Sequence, residues 1–209
     1  MKSLQGWKTV LVVFLTLLIV CETLAYVVNT PRPSEQFFQL YLLGSNHMAA
    51  DYYPNNSTDL PLGTRVTWSV GVTDNMGSVQ LVSVRVKLGN QSISPPEDQN
   101  ALPSPSPVVT DFGRVLQNNE TWEFPFVWSI SNATLSGNST RILTVQINDE
   151  TYQFSDWSAS YGYNFRLIFE LWTWQEDANS FEFGWVTSGN ERHVAWLQVW
   201  FNMTTPEFI

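Results

Sequence analysis

Cysteine is nearly missing from this sequence. Cys21 is the only one in 209 residues. A lone thiol excludes an internal disulfide framework and any cysteine-rich zinc site. Histidine is almost as scarce, with only His47 and His193, which leaves little material for an imidazole metal centre. Lysine is confined to Lys2, Lys8 and Lys87. Charged residues make up 14% of the chain and the formal net charge is −9, against a usual charged fraction of about 25%. A chain this acidic, with no basic patch, is a poor partner for nucleic acid. No G-x-S-x-G elbow, P-loop or dinucleotide fingerprint is present.

Long apolar runs are also absent, with one exception. The stretch Val10–Val20 holds ten apolar residues and a single Thr, and Lys2 and Lys8 precede it. A cleaved signal peptide needs a basic start, a short apolar core and a small-x-small site; Thr23-Leu24-Ala25 would serve. An uncleaved anchor needs about 20 mostly apolar residues, and the stretch from Thr9 to Val28 supplies them, with Glu22 as its only charge. Trp7 and Tyr26 flank the run, where interfacial aromatics belong. A lipoprotein site at Cys21 fits poorly, because Val20 is larger than the small residue expected before a lipidated Cys. The expectation is therefore an N-terminal membrane anchor, or a signal peptide, over residues 1–28. In a single-pass cell-membrane protein the lysines stay on the cytoplasmic side. Residues 29–209 then face outward, with 8 basic and 18 acidic residues and a net charge of −10.

Aromatic residues are plentiful at 14%, including ten Trp, which argues for a folded core rather than disorder. After residue 30 no amphipathic helix longer than two turns is legible. Apolar residues alternate at period two in short runs. The segment Phe37–Leu43 is the first candidate strand. Val66, Trp68, Val70 and Val72 share one face of the next, opposite Arg65, Thr67, Ser69 and Gly71. Val82, Val84, Val86 and Leu88 share another, opposite Ser83, Arg85 and Lys87. Trp122, Phe124, Phe126, Trp128 and Ile130 line a third, and Leu143, Val145 and Ile147 a fourth. Three aromatic-rich runs follow, at 163–174, 181–185 and 194–203. The last is apolar on both faces, so a central strand is expected there. Asp74–Gly77 reads as a hairpin turn. Residues 92–107 hold five prolines, which excludes a strand or helix interior and predicts a long exposed loop. About eight strands with turn signals between them predict an all-β domain, an antiparallel β-sandwich, preceded by one transmembrane helix.

Seven N-x-Ser/Thr sequons occur, at Asn55, Asn56, Asn90, Asn119, Asn132, Asn138 and Asn202. Such a motif becomes an N-glycosylation site only in an exposed loop outside the cytoplasm. Covalent N-glycans are expected, with Asn90, Asn119, Asn132 and Asn138 the best placed and the overlapping Asn55 and Asn56 sharing one.

The start of the external region carries a specific pattern. Ser34-Glu-Gln-Phe-Phe-Gln-Leu-Tyr-Leu-Leu-Gly44 is followed by Ala50-Asp-Tyr-Tyr-Pro-Asn-Asn-Ser-Thr58, Leu62-Gly-Thr64 and Val70-Gly71-Val72. A closing strand runs near Leu197–Asn202. This resembles an uncharacterised family of archaeal membrane proteins, whose external domain opens just after a membrane helix. The resemblance implies an extracytoplasmic, immunoglobulin-like β-sandwich without assigned activity or established catalytic residues. Members often carry several membrane spans, whereas one is legible here, and the Pro-rich stretch is unusual.

Candidate chemistry is thin. Neither His sits in a metal-spacing motif. The acidic pairs Glu97-Asp98, Asp149-Glu150 and Glu176-Asp177 lack the spacing of a calcium loop and read as solvated turns. No catalytic, cofactor-binding or metal-ligating residue is assigned, and no cofactor. Trp172 and Trp174 lie opposite the apolar face of their strand, so they cover a second packed surface, contact a partner or stack on a glycan. The expectation is a non-catalytic surface protein, a structural or accessory subunit of a membrane or envelope assembly or of a self-assembly. The alternative is a glycan-binding module that uses exposed Trp.

Overall fold

Period-two alternation of aromatic and β-branched residues with polar ones gives strands, and the computed structural model is mostly β. It describes residues 3–29 and 35–204, which fall into two compact units, Met1–Ser34 and Glu35–Ile209. The described residues of the first unit form one helix, α1, Ser3–Asn29. From Gly6 to Asn29 it is long and apolar enough to cross a membrane. Its polar side chains turn back on their own backbone. Thr16 donates to the carbonyl of Val12, Thr23 to that of Ile19, and Asn29 to that of Ala25. Such bonds leave no donor stranded in an apolar phase. Cys21 is exposed on this helix, and Lys2 lies outside the described residues.

Among its described residues the second unit holds thirteen strands. They are β1 (Phe37–Leu43), β2 (Asp59–Pro61), β3 (Val66–Asn75), β4 (Gln80–Asn90), β5 (Val108–Leu116), β6 (Thr121–Ser136) and β7 (Ser139–Ile147), then β8 (Glu150–Ser160), β9 (Phe165–Gln175), β10 (Ser180–Phe183), β11 (Trp185–Val186), β12 (Arg192–His193) and β13 (Trp196–Thr204). One sheet has the order β1-β3-β6-β7-β8 and is antiparallel throughout. The other runs β2-β13-β9-β4-β5, with β10 also on β9. Its short β2 is parallel to β13, and its other pairs are antiparallel. A small β11–β12 ribbon stands apart.

The two sheets meet over one apolar core. Trp68 and Phe126 of the first sheet pack on Phe169 of the second, with centroids 6.3 and 5.0 Å apart, and Trp128 meets Phe201 at 4.9 Å. Burial of each Phe is worth about 1.5–3 kcal/mol. The alternating faces expected of β3, β4 and β6 are the ones that point inward.

Several expectations need correction. Asp74–Gly77 is not a hairpin, because β3 and β4 belong to different sheets. Met76 is buried in the core and its N–H donates to Asp74 Oδ1 at 2.7 Å, so the chain crosses between layers there. In β7 it is Ile142, not Leu143, that joins the core, because the pairing slips between Ile142 and Thr144. A bulge of this kind re-aims the side chains beyond it. Strand β13 is only partly central. Its residues Asn202–Thr204 pair with β2, whereas Trp196–Phe201 pair with β9 alone among the described residues. The Pro-rich stretch is irregular, as expected, but Pro96, Ser104 and Ser106 within it are buried.

Candidate functional site

The outer face of the second sheet is the more unusual one. Period two puts Arg166, Ile168, Glu170, Trp172 and Trp174 there from β9, and cross-strand register adds Arg85 and Lys87 from β4 and Trp196, Gln198 and Trp200 from β13. Residues 92–107 lie across part of this face. Arg166 donates to the carbonyl of Ile93, Trp196 Nε1 donates to Asp98 Oδ1 at 2.6 Å, and the N–H of Ser104 donates to Glu170 Oε1 at 2.7 Å. Lys87 Nζ donates to the carbonyl of Ser104 at 2.6 Å and stands 2.9 Å from Glu170 Oε2. Both charges are buried, and Trp172 Nε1 gives the carboxylate a further donor at 3.0 Å. Pairing and full hydrogen bonding are what make a buried charge tolerable. Burial also pushes the Arg166 guanidinium below its ordinary value, and its Nη1 donates to Gln198 at 2.6 Å.

This arrangement bears on the two tryptophans singled out in the sequence. Trp172 is half-buried, its N–H is taken by Glu170, and the Arg85 guanidinium lies 3.8 Å over its ring. One face of Trp172 is therefore occupied by a cation–π contact rather than open to a sugar. Trp174 packs edge-on against Phe181 at 5.4 Å. Beyond them, Leu81 and Val115 stand opposite each other on β4 and β5, and both are exposed. The Lys87–Glu170 pair escaped the sequence reading. Lys87 read as one more residue of the polar face of β4 beside Ser83 and Arg85, and nothing in the spacing set Glu170 opposite it.

The outer face of the first sheet is polar. Arg65 leads into β3, and Thr67 and Ser69 follow on the same face at period two. The segment 44–58 folds over from the end of β1 to make one wall. Gly44 is needed there, because a Cβ would stand 2.1 Å from the carbonyl oxygen of Ala50. His47, Asp51, Asn55 and Asn56 all take positive φ, between 54 and 56°. Glu123 and Pro125 of β6 make the opposite wall. Two hollows of about 390 and 170 Å³ lie along this floor and share Ser45 and Thr67. His47 Nδ1 is 2.6 Å from Glu123 Oε1 and 3.4 Å from Ser69 Oγ. A hydrolytic relay needs its acid and its nucleophile on opposite ring nitrogens, and here both meet the same one. Tyr41 lies over Gly71 and donates to Glu123 Oε2 at 3.4 Å. Burial, and next the charge of Glu123, push its hydroxyl above the ordinary value. Arg65, Asn46 and Asp51 make no side-chain hydrogen bond or ion pair among the described residues.

The sequons divide by position. Asn55, Asn56, Asn119, Asn132 and Asn138 are exposed. Asn90 is half-buried at the end of β4. Its amide donates to the carbonyl of Ser158 at 2.7 Å and its carbonyl accepts from Ser92 N–H at 2.9 Å. Asn202, in β13, is half-buried and tied on both sides as well, to Asp59 at 2.7 Å and to Asn164 N–H at 3.0 Å. The acidic pairs are turn and loop residues, except that Glu150 opens β8 opposite Ile147. Asp149 follows Asn148 in a two-residue hairpin turn with φ of 45 and 70°, Asp98 holds Trp196, and Glu176-Asp177 lie exposed between β9 and β10. His193 stacks on Trp185 at 5.8 Å. No cluster of three or more His, Cys, Asp or Glu that could hold a metal occurs among the described residues.

No protein-family model matches the chain, and no match to a curated protein was found. Among solved structures, a β-glucosidase from Listeria innocua in complex with gluconolactone is similar to 82% of this chain at 12% identity and a TM-score of 0.33. A β-D-glucoside glucohydrolase from Trichoderma reesei is similar to 82% at 9% identity and a TM-score of 0.31. The chain spans 17% and 19% of those two proteins. At such TM-scores neither likeness carries an argument about this chain.

Proposed function

We propose that this chain is a membrane-tethered, extracytoplasmic subunit of a larger envelope or membrane assembly, with no catalysis of its own. Its immunoglobulin-like sandwich belongs with the archaeal family whose opening pattern it resembles. Helix α1 is the anchor, Lys2 and Lys8 lie on the cytoplasmic side, and the sandwich stands outside and carries N-glycans. The observation that carries the reading is an asymmetry in the surface. Exposed sequons lie on the first sheet and on connecting loops. On the outer face of the second sheet, Leu81 and Val115 stay exposed beside half-buried Trp174, with no exposed sequon among them. Glycans exclude partners from the surfaces they cover, so a contact surface is kept free of them. A bare apolar patch on a soluble face marks an interaction site when it is contiguous.

The test is extraction of the native chain in mild detergent, followed by crosslinking and mass measurement. A complex larger than the monomer is expected, and Val115→Glu is expected to dissolve it. A monomer alone, from the parent chain, overturns the reading. The glycan-binding alternative uses Trp172 and Trp174, and the guanidinium on the Trp172 ring leaves Trp174 to carry it. It predicts that sugars shift Trp fluorescence in the parent and not in Trp174→Ala.

A further inference from the structure

The geometry points to a binding site for an acidic saccharide in the polar groove of the first sheet, on the floor made by Arg65, Thr67 and Ser69. This goes beyond the tethered-subunit reading and limits it at one place: Asn55 and Asn56 line the same hollow, so the site requires that this overlapping sequon carries no glycan, and the titration uses chain without glycan there.

The charge arrangement selects the ligand. The external domain is strongly acidic, and its cations are mostly spoken for. Lys87 pairs with Glu170, Arg114 with Glu120 and Arg192 with Glu182. Arg85 lies on Trp172, and Arg166 is held by Gln198 and Ile93. Arg65 and Arg141 have no such partner among the described residues, and of the two it is Arg65 that lines a hollow, one that also contains Asp51, and a second beside Asp149. An unpaired guanidinium in a concave site is a fork of donors matched to a carboxylate.

The rest of the groove calls for hydroxyls rather than a bare anion. Ser45, Thr67 and Asn46 offer both donors and acceptors, and Asp51 offers acceptors only. Tyr52, Tyr53 and Pro54 close the same hollow with apolar surface. Convergent polar groups on an apolar wall are the usual make-up of a small-molecule site. From Arg65 to Ser69 the floor is about 13 Å long at roughly 3.3 Å per residue, which suits a short oligosaccharide. A uronic acid oligomer supplies what the groove can take, one carboxylate for Arg65 and hydroxyls for the remainder. The wall that holds it is fixed in advance, since Tyr53 donates to the carbonyl of Trp200 at 2.6 Å and Trp68 Nε1 to that of Tyr52.

The experiment is calorimetric titration of the full chain in detergent with trigalacturonate. Maltotriose serves as the neutral probe of equal length and sodium sulfate as the bare anion. Saturable binding of trigalacturonate is expected, tighter than either control. Arg65→Ala should weaken it at least about tenfold, as loss of a charge-assisted hydrogen bond does. Arg141→Ala, which removes an exposed arginine of β7, should leave it unchanged. Arg65 is exposed and makes no bond in the fold, so its variant should melt as the parent does. No binding, binding no tighter than that of maltotriose or sulfate, or equal loss in the Arg141→Ala chain overturns the site.

Discussion

The two outer faces of this sandwich are built by the same period-two rule and end differently. On the first sheet the outward residues of β3 are Thr67, Ser69 and Gly71. They meet a polar groove, and a neighbouring hairpin carries exposed sequons. On the second sheet the outward residues of β4 and β9 include Lys87, Arg166 and Glu170, and the chain's own Pro-rich segment covers them. A β-sheet face can therefore be closed by an irregular segment as well as by a second sheet. Proline suits that role. It brings no N–H that would need a partner against the sheet, while Ser104 supplies the N–H and the carbonyl that the buried ion pair requires.

The sharpest way to break this comparison is Glu170→Ala. It leaves Lys87 buried without a counter-charge, and stability is expected to fall by about 3–5 kcal/mol in denaturant unfolding of the sandwich. The double variant Lys87→Met, Glu170→Leu removes both charges and should recover most of that loss. If the single variant costs nothing, the pair is not buried in solution and the segment does not cover it. Next in size is Trp196→Phe, which keeps an aromatic ring, smaller than the indole, and removes the bond to Asp98. A cost of about 1 kcal/mol is expected, with faster proteolysis confined to residues 92–107.

Asp74 tests the layer crossing instead. It is fully buried, and burial holds its carboxyl above the ordinary value. An acid raised in this way favours the fold most below its unfolded value. That contribution is lost as pH rises through the raised folded value. Asp74→Asn keeps an acceptor for the Met76 N–H and cannot ionise. Its melting temperature at pH 7 should not fall below the parent's, and the decline in stability with rising pH should flatten. The smallest effects belong to the first sheet and its loops. Asn132→Gln should change the stability of unglycosylated protein by less than about 0.5 kcal/mol. Mass mapping of the native chain should find glycan at Asn119, Asn132 and Asn138 and none at Asn90 or Asn202.

Much of the sandwich was legible in the sequence wherever one strand face is buried. β1 runs over the residues expected of it, and the inward sets of β3, β4 and β6 are the predicted ones. Of the edge strands β1 was legible, whereas β5 and β8 were not. β5 and β8 border their sheets, and stretches such as Thr151-Tyr-Gln-Phe-Ser-Asp-Trp157 give no clean alternation. The Asp74 turn looked like a hairpin because turn chemistry is local, whereas the choice of sheet depends on where Met76 is buried. The slip at Ile142 is invisible for the same reason. The sites followed this divide. Trp172 and Trp174 stood out by type and position. The groove around Arg65 needs segment 44–58 to fold back over β3, which no spacing in the sequence announces.

The strand order also sets how the domain carries a mechanical load. β1 begins at Phe37, opposite Asn75 at the end where β3 crosses to β4, and β13 ends at Thr204, opposite Pro61 at the other end. A pull between Phe37 and Thr204 thus runs along the strands. Hydrogen bonds between antiparallel strands lie across that direction, so the seven residue pairs from Phe37–Asn75 to Leu43–Ser69 share the load in shear rather than opening one after another. The sandwich is strung like a rope splice, and stretching it lengthwise is the hardest way to take it apart.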